Sequence, residues 1–445
     1  MPVAAVPAYL GDDFSSASPG MRFGMYLMVW GIDRHTRDLL WGTHDIDYGV
    51  RGQDRQERPV KHENKVSALA AAKRLNDGDQ KTMKALLARQ NQVFDTVAGD
   101  QGLRLDALAT APFTTGLGNE HPLENGFAFL SPYGLPYLPG SGIKGVLRQA
   151  ARELASGEWG DSKGWTEDKR YALMQGKDDR RRAVLDKNRQ PVMLSPLDVL
   201  FGRETAGGGS DHVRGALVFW DVIPQIKGDS LAVDIMTPHQ GHYYQKKSDR
   251  KSGGSTAPHE SGQPNPISFF TVPPGSGFVF HLQCDLEHLA RLAPELAVDG
   301  RWKALLTAAL EHAFQWLGFG AKSAVGYGAL TRDEAASARH EAEAAARARK
   351  TATLAKSSNL QKVDAFIELA ERRAAELRGR KEGVGDAFMA EVRKLVKDAL
   401  EGEGWDVSEK RAVAEAVEAW APQIVNVDIK DQRKKLKLNA LKGVA

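Results

Sequence analysis

Cysteine is almost absent from this chain: Cys284 stands alone among 445 residues. One cysteine can form neither an internal disulfide nor a cysteine zinc site, and a reducing cytoplasm is the expected setting. It lies in FVFHLQCDL, a strand-like run, and reads as a small buried hydrophobe. Long apolar runs are lacking too. None approaches the roughly 18 residues that a membrane span requires. The opening MPVAAVPAYLGDDFSSASPG has neither a charged leader nor an apolar core, so no secretory signal is expected. An excess of one charge is also missing: Lys and Arg number 60 against 57 Asp and Glu, a net charge of +3. That balance does not by itself argue for nucleic acid.

What remains is an ordinary globular composition, with 42% hydrophobic and 26% charged residues. Three zones follow. Residues 1–100 are a mixed, partly helical region expected to pack on the core. MRFGMYLMVW (21–30) reads as a buried strand, and 62–98 as one or two helices. Residues 101–332 hold the informative pattern. LRLDALATAPF (103–113) is a strand, PGSGIKGVLRQAAREL (139–154) a tight turn and then a helix, and GALVFWDVIP (215–224) a strand ended by proline. GFVFHLQCDL (277–286) is another strand, RWKALLTAALEHAFQWLG (301–318) an amphipathic helix stopped by glycine, and AVGYGALTR (324–332) a last short strand. The order βαββαβ predicts an α+β, ferredoxin-like (RRM-like) core, shared with RNA-recognition modules. Two polar insertions, 156–212 and 237–265, interrupt it, and loops of that length are usually functional or disordered. Residues 333–445 read as an all-helical extension with a basic tail, Lys430 to Lys437, expected to be a frayed, solvated end or a protein contact.

Two stretches point to chemistry. In LGFGAKSAVGYGAL, Gly318, Gly320, Gly326 and Gly328 flank Lys322 and Ser323, with Tyr327 between the last two glycines. A nucleotide P-loop needs G-x-x-x-x-G-K-[ST] between a strand and a helix. Here Ala321 separates Gly320 from Lys322, and the loop follows a helix and precedes a strand. Four glycines suggest close approach of another backbone, and exposed amides beside one cation suit a phosphodiester chain. A wide turn is the plain alternative. In PGSGIKG, a turn opens a helix carrying Lys144 and Arg148, four apart on one face. An anion near Ser141 to Lys144 would meet the positive helix end, whereas a capped helix with solvated basic residues explains the same pattern without a ligand.

The succession TGLG, HPLENGFAF, YGLPYLPGSGIKGVLR, LFG (200–202), GALVFWDV, DIMTPHQGHYY (234–244), PNPISFFTV (264–272) and GFGAKSAVGYG resembles the RAMP superfamily of CRISPR proteins. Within it, the chain looks most like the subunit at the guide 3′ end of type III-B (Cmr) effector complexes. The resemblance covers roughly 100–332. It implies a non-catalytic subunit of a ribonucleoprotein in antiviral defence. The partners implied are the 3′ part of a CRISPR guide RNA, the facing target RNA, and neighbouring RAMP backbone subunits; no membrane is involved. The Gly-rich loop would meet RNA, and Lys144 and Arg148 would contact phosphates.

RAMP relatives that process guide precursors can use histidine, so a guide-processing endoribonuclease is the rival reading, with His239 or His242 as acid or base. His-x-x-His lacks a readable third metal ligand, and neither metal nor cofactor is expected. His239, His242, Tyr243 and Tyr244 read better as a stacking and hydrogen-bonding surface, or as a hold on the core. His121, and His281 within a strand, are weaker candidates. Asp221 and Asp234 have no readable carboxylate partner and suit turns. Arg180, Arg181 and Arg182, and Lys246, Lys247, Arg250 and Lys251, are either solvated loop charges or RNA contacts.

Overall fold

The structure, a computed structural model, describes residues 6–11, 13–27, 30–32, 39–41, 44–47, 60–123, 125–176, 182–186, 188–203, 212–237, 266–355 and 357–443. The chain divides into two compact units, Met1–Ser337 and Ala338–Ala445.

The first unit opens with helix α1 (Pro19–Gly24). A strand was expected over 21–30, but among the described residues of that span only Trp30 is strand, in Trp30–Ile32, which pairs with Leu39–Trp41. Pro19 at the first helical turn presets the helical φ. Phe23 and Leu27, four apart, then both enter the core. Helices α2 (Asn64–Ala72) and α3 (Asp77–Val97) follow. The second starts at an Asn76–Asp79 capping box, in which each side chain accepts from the other's backbone N–H.

The centre is a four-stranded antiparallel sheet with an intervening hairpin. In chain order come β1 (Gly102–Ala109), α4 (Gly140–Ser156), β2 (Leu217–Phe219), β3 (Ala232–Met236), β4 (Ile267–Thr271), β5 (Gly277–Cys284), α5 (Arg301–His312) and β6 (Leu330–Arg332). The spatial order is β2-β5-β1-β6. Strand β5 faces β1 with Val279 opposite Asp106, and β6 joins β1 with Leu330 opposite Ala109. Strands β3 and β4 form a separate two-stranded hairpin.

Helix α4 buries Ile143, Leu147, Ala150, Ala151 and Leu154, a helical spacing that lays one stripe on the core. Helix α5 buries Trp302, Leu305, Leu306, Ala309 and Leu310 in the same cluster. Its last turn widens to a π-helical segment, Ala313–Leu317, that ends at Gly318. The final strand is shorter than expected: Ser323–Val325 is a 3-10 turn, and pairing begins only at Leu330. The glycines after that turn take left-handed conformations that interrupt a strand.

The described part of the first insertion is folded. Tyr171–Ala172 pairs with Met193–Leu194 and Met174–Gln175 with Arg182–Ala183. The buried Trp165 donates Nε1–H to the Leu305 carbonyl over 2.9 Å, which ties the insertion to α5.

Helix α6 (Glu334–Ala355) crosses the division between the units. The second unit holds α7 (Ser358–Leu377), α8 (Ala387–Glu401), α9 (Val407–Ile424), α10 (Ile429–Lys435) and α11 (Leu438–Leu441), with a core of its own. The basic tail is therefore not a frayed end. Leu438 and Leu441 are buried, and Arg433 and Lys442 both donate to Glu418 at 2.8 Å. Two apolar anchors outweigh the cost of gathering the cations.

Candidate functional site

The backbone that the Gly-rich loop admits is the chain's own. Phe319 N–H donates to the Gly328 carbonyl (2.9 Å), Ala321 N–H to Thr114 (2.8 Å), and Gly328 N–H to Pro112 (2.8 Å). The loop is thus sewn to itself and to the segment after β1. At Gly328 (φ +73°) a Cβ would stand 1.9 Å from the Phe319 carbonyl oxygen, and at Gly320 (φ +87°) 2.2 Å from that of Thr114. Only glycine fits either place. Phe319, fully buried, anchors the loop 5.1 Å from the Phe280 ring centroid.

The side chains of the loop meet the β3–β4 hairpin. Tyr327 Oη–H donates to Asp234 on β3, in a short hydrogen bond. Burial, and then that bond, push the Tyr327 phenol up to about 12. Lys322 takes a left-handed conformation (φ 60°) and sets its ammonium 5.5 Å from the Phe269 ring centroid and 6.0 Å from that of Tyr327. It reaches Met236 Sδ at 4.0 Å. Lys322 and Tyr327 are half-buried and stay at the surface, while Ser323 lies beside them. The arrangement holds a cation and an aromatic ring together, and the ring's negative face favours the cation's position.

Beside this loop lies a cleft of about 310 Å³. Its walls are Thr115–Gly118, Pro139, Ser141, Gly142 and Val146 at the head of α4, and Gly320–Ala321. Ser141 and Gly320, far apart in sequence, therefore face one space, together with the TGLG stretch. The head of α4 is partly satisfied already: Gly140 N–H donates to Asp221 Oδ1 over 2.7 Å. Asp221 thus answers some of the positive helix end. Gly142 is exposed at the cleft; Lys144, one turn along the helix, is exposed but is not one of the cleft walls.

Arg148 is not brought to this cleft. It lines a second groove of about 340 Å³ with Arg152, Glu167, Arg170, Ser195 and Asp198. A larger cleft, about 1100 Å³, lies between the N-terminal segment, the end of α2 and Asp229–Ser230. Its buried guanidinium, Arg22, donates to the carbonyls of Ala17 (2.8 Å), Ala71 and Arg74. That residue works as a cap for the last turn of α2.

His239, His242, Tyr243 and Tyr244 lie outside the described residues, as do Arg180, Arg181, Lys246, Lys247, Arg250 and Lys251. Of the remaining candidates, His121 stacks on Phe23 at 3.7 Å between centroids. Its Nδ1 accepts from Leu123 N–H (3.1 Å), and its Nε2–H then donates to the Phe23 carbonyl (3.0 Å). Burial lowers its pKa. His281 is buried and bonds Asn91 Oδ1 through Nε2 at 2.8 Å. Both serve packing. Among the described residues, no three His, Cys, Asp or Glu side chains converge as a cation site needs. Burial pushes the Cys284 thiol up to about 12, and the side chain packs in the central core.

Sequence reasoning missed the Asp234–Tyr327 bond, since nothing local joins residues so far apart. It also missed Arg152 and Arg170. For Arg152 a signal existed, the four-residue step from Arg148.

Comparison with known proteins completes the picture. A family model described as the RAMP superfamily matches residues 107–331. The CRISPR system Cmr subunit Cmr6 of Pyrococcus furiosus is 30% identical over 240 residues, which are 48% of this chain and 63% of that protein. The match thus spans less than two thirds of the relative's length. A type III-B Cmr-beta complex bound to cognate target RNA contains a chain 16% identical, with a TM-score of 0.37, over 60% of this chain and 71% of that one. The crystal structure of Pyrococcus furiosus Cmr6 gives 24% identity and a TM-score of 0.26, over 52% of this chain and 97% of that one. No described helix is long and apolar enough to cross a membrane. The family match begins within β1 and ends within β6, covers half of the chain, and places this protein in the RAMP superfamily.

Proposed function

We propose that this protein is a non-catalytic, RNA-binding subunit of a type III-B CRISPR effector complex that acts in antiviral defence in the cytoplasm. It contacts the 3′ part of the guide RNA and the facing target RNA, and it docks on neighbouring RAMP backbone subunits. Its core is ferredoxin-like, a reading supported by the strand–helix–strand–strand–helix–strand order and the sheet order β2-β5-β1-β6. Similarity to a Cmr6 subunit supports the assembly.

One observation carries the RNA reading. Three stretches distant in sequence build a single small cleft from Thr115–Gly118, the head of α4 and Gly320–Ala321. Small residues there let a strand lie close to backbone amides. Outside its walls, Lys144 on α4 and Lys322 and Tyr327 on the loop offer two cations and an aromatic edge to a strand that continues past the cleft. Such binding is indifferent to guide sequence, because phosphates carry the affinity.

The test is photocrosslinking of RNA to the protein purified from its native host, with mass spectrometry of the modified peptides. Nucleotides on peptides covering 139–148 and 317–328, with other Cmr subunits co-purifying, are expected. Crosslinks absent from both stretches in an RNA-containing preparation would sink the proposal, and so would cleavage of guide precursor by the isolated chain.

A further inference from the structure

Arg148 poses a problem that the cleft does not solve. Lys144, Arg148 and Arg152 recur every four residues along α4, a row about 12 Å long at 1.5 Å per residue. They flank the stripe that α4 buries, so Arg148 is half-buried while Lys144 and Arg152 are exposed. The Arg148 Nε is shut off from solvent and meets no acceptor. A buried donor without an acceptor costs free energy, and native structures rarely leave one so.

Around that guanidinium the groove collects two more, Arg152 and Arg170. Two acids, Glu167 and Asp198, line the same groove, so three guanidiniums stand against two carboxylates. Asp198 already accepts from Ser195 N–H and Oγ–H, both at 2.9 Å. Glu167 is exposed. Arg170 donates Nη1–H to the Lys169 carbonyl over 3.0 Å, which holds it at the rim. The excess guanidinium, together with the Arg148 Nε that meets no acceptor, leaves the groove with donors that an entering anion would satisfy.

We propose that this groove is a second anion site, distinct from the cleft, that holds a phosphate group of an RNA strand. Arg148 and Arg152 are its donors and Arg170 closes the third side. The inference rests on the RNA-binding reading and extends it. Guanidinium forks match phosphate oxygens two at a time. An RNA strand, rather than a single protein carboxylate, is favoured by continuity. The basic row begins beside the cleft at the head of α4 and ends in the groove, so one polyanion satisfies both.

The experiment uses the full chain and a fluorescein-labelled single-stranded RNA, with anisotropy followed over a series of salt concentrations. Arg152→Gln and Arg148→Gln are each expected to weaken binding several-fold. Each should also flatten the slope of log affinity against log salt by about 0.7, the value for one lost phosphate contact on a single strand. Arg152 is exposed, so its variant keeps the wild-type melting curve and decides the matter even if Arg148→Gln is poorly folded. If the wild type binds RNA and both variants match it in affinity and slope, the groove is no phosphate site, while the RNA reading stands. Unchanged RNA binding with loss of neighbouring Cmr subunits would make the groove a protein contact and overturn the inference. A wild type that binds no RNA at any salt removes the parent reading and the inference together.

Discussion

Gly320 and Gly326 look alike in sequence but are held by different forces. Both have φ near +90°. A Cβ on Gly320 would lie 2.2 Å from the Thr114 carbonyl oxygen and 2.7 Å from the Phe113 ring, whereas one on Gly326 would meet nothing within 4 Å. Gly320→Ala combines backbone strain with overpacking and should lower unfolding stability by about 3 kcal/mol. Gly326→Ala carries the strain alone, about 1 kcal/mol. Urea denaturation of the two variants measures the difference. Equal losses would mean that the loop does not lean on Thr114. The Tyr327–Asp234 bond obeys the same logic: it fixes the ring between the loop and β3, and a fixed ring can stack without paying for its ordering.

Elements are docked here by polar clasps set into apolar contacts. The α1 helix is held to the segment after β1 by His121, stacked on Phe23 and bonded to its carbonyl. This clasp has a pH dependence. Burial lowers the His121 pKa in the folded protein, so the unfolded chain binds the extra proton more readily. The clasp's contribution is complete above the unfolded value, about 6.5, and falls as pH drops from there toward the folded pKa. Urea unfolding at about pH 7.5 and 5.5 should therefore show an acid-side loss in the wild type that is smaller in His121→Gln. An identical pH response in both would refute the clasp. Helix α4 is tied similarly, with Asp221 accepting at its first amide.

Among the described residues, the two units share no core: each buries its own hydrophobic residues. Every buried member of the central cluster precedes residue 331, and every member of the helical cluster follows residue 362. A chain ending at Ser337 keeps the sheet, both clefts and the Ser337 hydroxyl bond to Asp106, at 2.9 Å. It should unfold cooperatively in calorimetry and retain the RNA affinity of the full chain. Lost RNA binding in a well-folded truncation would place an RNA contact in the helical unit. The six basic residues against one acid in 430–442 make that outcome informative.

Apolar periodicity and Pro–Gly punctuation are local signals, and they determined which segments become strands and helices. The turn and helix over 139–154, and the glycine that stops the helix at 318, needed no partner to be read. The helix over 19–24 escaped notice because fewer than two turns are too short for a period to distinguish the two states, leaving Pro19 as the deciding residue. Tertiary structure alone decided which backbone approaches the loop glycines, that Tyr327 meets Asp234, and that Arg148 leaves Ser141 to join Arg170. Each of these depends on atoms brought together by packing of the sheet, the hairpin and the insertion. Sequence spacing carries the direction of a side chain around its own helix, but not what stands opposite it.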